Sequence, residues 1–227
     1  MAETRSKRYR ECVKNVPAGK VGIPEAVKII KTFKPTKFDP TVNLVMHLGI
    51  DTKQAEQAIR GSLSLPHGIG ASKKVIAFCD GADVEKALAA GATEAGSDEL
   101  IKKVQGGWLD FDVAVATPAM MRNVSRLGKV LGPQGKMPSP KSGTVTDDIA
   151  VAVKEYSAGK LEYRNDDGGN LHIPVGKLSF DESKLVENIE AFVAHVRRVK
   201  PSSAKGVYIK KVAIAPTMCP AVQIDVA

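Results

Sequence analysis

Cysteine, histidine and aromatic side chains are scarce in this chain, and their scarcity narrows its chemistry. Cys12, Cys79 and Cys219 are the three cysteines among 227 residues, far apart and never in a C-x-x-C pair. An odd, scattered set argues against a disulfide frame or a zinc site and for a reducing compartment. His47, His67, His172 and His195 sit in four separate segments without ligand spacing, so neither a metal nor another cofactor is expected. No apolar run approaches the roughly eighteen residues that a membrane span needs, which excludes a membrane partner of that kind. Met1 to Arg8 leads into no apolar stretch and does not read as a secretory signal, so a cytoplasmic protein is expected.

What the chain does contain is a core's worth of apolar residues (43%) and an excess of positive charge, net +8. The length suits one large domain or two ordinary ones. A basic balance favours an acidic partner such as nucleic acid, and the distribution of charge says more than the total. The first 38 residues carry Arg5, Lys7, Arg8, Arg10, Lys14, Lys20, Lys28, Lys31, Lys34 and Lys37 against Glu3, Glu11 and Glu25. No acid lies between Glu190 and Asp225, where Arg197, Arg198, Lys200, Lys205, Lys210 and Lys211 fall. From Asp80 to Asp112 the balance reverses, with eight acids against Lys86, Lys102 and Lys103. A phosphate backbone attracts the two ends and is repelled by the middle.

Hydrophobic patterning divides the chain in the same way. A helix is expected over Pro24–Phe33, and strict alternation marks Thr41–Leu48 as a half-buried strand. Asp51 with Gln54 resembles a capping box for a short helix to Arg60, followed by alternation at Ser62–Leu65. Pro66-His67-Gly68-Ile69-Gly70 reads as a linker. Beyond it Val75–Cys79 and Phe111–Ala116 are apolar without alternation, as strands covered on both faces are. Helices are expected over Asp83–Ala90, Asp98–Val104, Ala119–Leu127 and Asp148–Tyr156, which makes a small parallel α/β unit. After Gly159, Leu161–Arg164 and Leu171–Val175 read as a hairpin about Asp166-Asp167-Gly168-Gly169. Ser183–Val199 is a long amphipathic helix, and Val207–Ala215 and Ala221–Val226 are the last strands. The economical arrangement is one domain inserted into another: residues 1–66 with 160–227, and residues 67–159 between them. Pro66, Gly68 and Gly159 then mark a two-stranded hinge.

The most distinctive stretch is Gly128-Lys-Val-Leu-Gly-Pro-Gln-Gly-Lys-Met-Pro-Ser-Pro-Lys-Ser-Gly-Thr-Val145. A phosphate loop ending at Gly135-Lys136 would need Gly at 130 and Ser or Thr at 137, where Val130 and Met137 stand. A dinucleotide-binding glycine fingerprint does not fit either, and no Ser/His/Asp or Cys/His grouping stands out. The nucleotide-dependent enzyme therefore falls behind a binding protein; a nonspecific interaction module is the remaining alternative. Gly132, Pro133, Gly135, Lys136, Pro138, Pro140 and Lys141 form a stiff, basic loop without an acid nearby in sequence, suited to approaching a macromolecule closely.

This stretch resembles the signature of the L-one family of large-subunit ribosomal proteins, the proteins of the mobile ribosomal stalk. Lys37-Phe-Asp39, Leu48-Gly-Ile-Asp51, Leu65-Pro-His-Gly68, Gly106-Gly-Trp-Leu-Asp-Phe-Asp112, Tyr163-Arg-Asn-Asp166, Ala204-Lys-Gly-Val-Tyr208 and Pro216-Thr-Met-Cys-Pro220 are similar to that family in the same order. The likeness points to its bacterial branch, as no organellar transit segment is apparent. It implies an α/β fold of two domains: a split β-α-β domain built from both chain ends, and an inserted three-layer Rossmann-like domain. It implies a monomer when free that joins the 50S subunit and binds large-subunit ribosomal RNA. It further implies help for deacylated tRNA leaving the exit site, and repression through the messenger RNA leader of its own operon. Carried over position by position, the RNA contacts are Lys37, Phe38, Thr41, Asp166, Thr217 and Met218. Position 219 holds Cys219 where the family usually has glycine, which puts that contact in question. Lys211 is added here as a further phosphate contact.

Overall fold

The computed structural model describes residues 5–54 and 56–226, so the polar N-terminal residues Met1 to Thr4 lie outside the described part. Two compact units emerge. A terminal unit comprises the chain up to Arg60, Leu65–Gly70 and the chain from Tyr163; a central unit comprises Gly61–Ser64 and Ala71–Glu162.

In the terminal unit, α1 (Lys7–Lys14) and α2 (Ile23–Lys31) precede β1 (Thr41–Leu48); after the central unit come β7 (Asn170–Lys177), α8 (Glu182–Arg198), β8 (Ile209–Pro216) and β9 (Val222–Ile224). The sheet order is β7-β1-β8-β9. Both β7 and β8 run antiparallel to β1, so the β7-α8-β8 crossover leaves a gap that β1 fills: a split β-α-β arrangement. Val42, Leu44, Met46 and Leu48 are buried while Thr41, Asn43, Val45 and His47 are only half-buried, as alternation requires. The buried set faces α2 and α8, whose Ala26, Val27, Ile30, Leu185, Ile189, Phe192 and Val196 complete the core.

In the central unit the strands are β3 (Val75–Phe78), β4 (Glu94–Gly96) and β5 (Val113–Ala116), all parallel in the order β4-β3-β5. Its helices are α3 (Ala82–Ala89), α4 (Asp98–Gln105), α5 (Met121–Val124), α6 (Gly128–Leu131) and α7 (Ile149–Ser157). Ile76 and Phe78 pack with Leu100, Val104, Val124, Leu127 and Leu131 on one face of the sheet. Val75, Ala77 and Cys79 pack with Ala87, Val153 and Tyr156 on the other. Helices on both faces make three layers, which is why these strands are apolar throughout.

Three local expectations are corrected. Among the described residues of 51–60 there is no helix: the Gln57 side chain takes up the Asp51 N–H at 2.8 Å, and the chain runs on into β2 (Arg60–Leu63). The turn at Asp166–Gly169 exists, but its flanking strands part company. The strand before it, β6 (Leu161–Arg164), pairs with β2, and β7 joins β1; a single bridge, Asn165 to Leu171, is all that remains of a hairpin. The helix expected over Ala119–Leu127 breaks after α5 into a 3-10 turn at Ser125–Leu127 and resumes as α6, inside the glycine- and proline-rich stretch. Helix α1, with Ser6 as its N-cap, was not foreseen.

Candidate nucleic-acid interface

At one end of the four-stranded sheet, β1 begins at Thr41 where β8 finishes at Pro216. The Thr41 carbonyl accepts from the Thr217 N–H (2.9 Å) and the Thr217 hydroxyl (3.1 Å), while Lys177 Nζ donates to the Thr41 hydroxyl at 3.0 Å. This network leaves the Thr41 hydroxyl proton and the lone pairs of Thr217 Oγ1 for an outside partner, such as a ribose 2′-hydroxyl. Cys219 N–H donates to Pro216 O at 3.0 Å, closing a β-turn with Met218 in third place. Met218 has φ 63, alone in positive φ among the described non-glycine residues, as a type II turn demands of that position. Its side chain is 69% exposed, and Phe38, on the neighbouring loop before β1, is 48% exposed. Two large apolar side chains left in solvent beside a polar network are what a base or ribose contact requires. Lys37, adjacent to Phe38, is exposed and unpaired among the described residues.

The expected contacts do not all meet there. Lys211 pairs with His47 and Asp166 lies in the turn before β7, both at the far end of β1. Six residues of strand separate the two groups by about 20 Å. What joins them is the sheet face opposite the helices, where Thr41, Asn43, Val45 and His47 line up beside Ala215, Ala213 and Lys211. Asp166 is engaged locally: its Oδ1 accepts from the Gly168 and Asn170 N–H groups at 2.9 and 2.6 Å. The Asn170 side chain and backbone hold this carboxyl below the usual carboxylate range. Such a group stabilises the fold above its unfolded value of about 3.9, and the contribution drains away as pH falls through the folded value. Asp166→Asn is therefore expected to lower the melting temperature at pH 7, with the gap to wild type closing in acid. A gap that stayed constant down to about pH 2 would mean that the charge plays no part.

The left-handed conformation belongs to Met218, so the backbone at Cys219 accommodates a side chain.

The glycine- and proline-rich stretch is built inward. Pro138 is buried, and Pro140 opens a 3-10 turn (Pro140–Ser142) that Gly143 ends at φ 69. Buried Ser142 and Thr144 bond back to Ser139, and Tyr156 donates its hydroxyl to the Ser142 carbonyl. Lys136 corrects the picture of a freely basic loop: Nζ donates to the Leu109 carbonyl at 3.1 Å and to that of Phe111, and Asp110, absent from the local sequence, is near enough to feel it. Gly132, Pro133, Gly135 and Lys141 remain exposed.

The supposed linker is also held. Asn188 of α8 is fully buried; it accepts from His67 N–H at 3.1 Å and donates to the Gly68 and Val175 carbonyls at 3.0 and 2.8 Å. Gly68 takes φ 61, Pro66 is exposed, and Gly159 (φ 102) stops α7 with its N–H on Tyr156 O.

Two observations weigh against an enzyme of the central unit. A cleft of about 700 Å³ opens at the carboxyl ends of β3 and β4, but Asp80, Asp98 and Glu99 line it while its Lys103 is paired with Glu94, and that acidic balance repels phosphate. Burial pushes the Cys79 thiol up to about 11, so it stays protonated and unreactive at neutral pH. Among the described residues no cluster of three or more His, Cys, Asp or Glu side chains could hold a metal ion, and no helix is long and apolar enough to cross a membrane. Charge distribution marked Arg8 only as part of a basic end, and sequence patterns gave no sign of its link to Met218 or of Lys177 and Asn188, whose bonds to Thr41 and His67 span 136 and 121 residues.

A family model described as the ribosomal protein L1p/L10e family matches residues 30–220. The chain is 51% identical over 222 residues to the large ribosomal subunit protein uL1 of Kosmotoga olearia, covering 97% of this chain and 96% of that one. The protein of the same description from Protochlamydia amoebophila is 52% identical over 221 residues, with 97% and 94% covered. That of Lactobacillus acidophilus is 50% identical over 220 residues, with 96% of each covered.

Proposed function

Because the chain belongs to the ribosomal protein L1p/L10e family, a structural and non-enzymatic constituent of the large ribosomal subunit, we propose that its terminal unit is the domain that grips large-subunit ribosomal RNA. The observation that carries this reading is the end of the sheet at Thr41. There two hydroxyls held in a fixed network lie between an exposed phenylalanine and an exposed methionine, with Lys37 and Lys177 alongside. Lysines meet phosphates, the apolar side chains pack on ribose or base, and the hydroxyls read the 2′-hydroxyl that separates RNA from DNA. The family resemblance extends the proposal to the mobile stalk that assists release of deacylated tRNA from the exit site. It also extends it to repression of the chain's own operon through a leader that imitates the ribosomal site.

Protein-free bacterial large-subunit ribosomal RNA, offered against excess bulk tRNA, tests the central claim. Binding should favour the ribosomal RNA by a factor on the order of a thousand or more. Lys73 Nζ reaches the Lys160 carbonyl at 3.1 Å, so residues 74–159 can be replaced by a short glycine-serine linker. That shortened chain should keep the preference. A folded product without it would move the main site to the central unit.

A further inference from the structure

We infer that Arg8 of α1 is a positioning residue for RNA recognition, acting through the Met218 turn; the inference rests on the RNA-binding function proposed above. Arg8 sits 210 residues from Met218 in sequence, yet its Nη2 donates to the Met218 carbonyl at 2.7 Å. The other arm, Nη1, lies 3.3 Å from Cys219 Sγ and 3.5 Å from the Lys34 carbonyl. One planar guanidinium thus ties three segments together: α1, the loop that leads to Phe38, and the turn that presents Met218. A lysine, with one compact ammonium, cannot reproduce that fork.

The turn has need of such a tie. Left-handed backbone at a residue other than glycine is strained and persists only where its surroundings over-determine it. The Met218 side chain is largely in solvent and supplies little packing of its own. The Cys219 N–H to Pro216 bond closes the turn from one side, and Arg8 holds the Met218 carbonyl from the other. Helix α1 is itself anchored: Cys12 is buried, and Glu11 pairs with Lys34 at 2.9 Å. The Arg8 fork is half-buried and three of its five N–H donors meet protein acceptors, so its effect on RNA passes mainly through the shape of the turn. Cys219 gives this chain a thiol for the fork to meet.

Binding of protein-free large-subunit ribosomal RNA by the full chain, its Arg8→Ala form and its Arg8→Lys form tests the assignment, across a salt series and beside bulk tRNA. Arg8→Ala should weaken ribosomal RNA binding by about tenfold, because the fraction of chains that hold the turn in its binding shape falls by that factor. Its tRNA binding should barely move, its melting temperature should fall by only about 2–4 °C, and the dependence on salt should keep its slope. Arg8→Lys should stay within about threefold of Arg8→Ala, because charge without the fork does not set the turn. A slope shallower by about one would make Arg8 a direct phosphate ligand and overturn the inference. Unchanged ribosomal RNA affinity, or an equal fold loss for both RNAs, would overturn it as well. A wild-type chain with no preference over tRNA would instead overturn the function on which it rests.

Discussion

Raising monovalent salt from about 50 to about 200 mM is expected to weaken ribosomal RNA binding by roughly a thousandfold. The terminal unit holds Lys7, Arg10 and Lys14 on one face of α1, together with Lys37, Lys210 and Lys211, all exposed and unpaired among the described residues. If about six such groups displace counterions, log affinity falls against log salt with a slope of about −5. The central unit carries twelve basic and twelve acidic residues and is neutral, so the slope belongs to the terminal unit and should survive replacement of residues 74–159. Affinity measured at five or six salt concentrations gives the slope directly. A value shallower than about −2 would remove the phosphate-based grip from the account.

Replacing Asn188 by leucine is expected to cost about 3 kcal/mol, or roughly 6–12 °C in melting temperature. The amide is fully buried and makes three bonds, to His67 N–H and to the Gly68 and Val175 carbonyls. A leucine of similar size leaves the buried Val175 carbonyl without this partner and strips the part-buried His67 N–H and Gly68 carbonyl of theirs, and each such loss is expensive. The loss should appear in the terminal unit, with hydrogen exchange quickening at His67 first. A melting temperature within about 1 °C of wild type would show that the Leu65–Gly70 segment is not fastened to α8 as described.

These results bear on what the amino-acid order made legible. Alternation located β1 to the residue, because a sheet face covered by helices on one side alone must repeat every two positions. Unbroken apolar runs at β3 and β5 likewise announced strands covered on both faces. Misreadings came where a local signal met a distant partner. Asp51 and Gln54 have the spacing of a capping box, yet Gln57 satisfies Asp51 and the chain turns away into β2. Asp166–Gly169 has the composition of a hairpin turn, yet β6 and β7 find better partners in β2 and β1. Lys136 reads as a free cation until the Leu109 and Phe111 carbonyls close over it. The candidate site was half visible: Phe38, Thr41, Thr217 and Met218 were carried over by family likeness and do gather at one sheet end. Arg8 showed only as one more basic residue and Lys177 not at all, because their value comes from hydrogen bonds that span 210 and 136 residues.

The position of β1 has a bearing on how the chain is made. It is an early strand placed at the heart of its sheet, and both neighbours, β7 and β8, are synthesised more than a hundred residues later. During translation it must wait unpaired, with Val42, Leu44 and Met46 uncovered, while the parallel β3-β4-β5 layer can already close behind it. The half that arrives first is thus the last to mature, and the newborn chain is most open to aggregation in that interval.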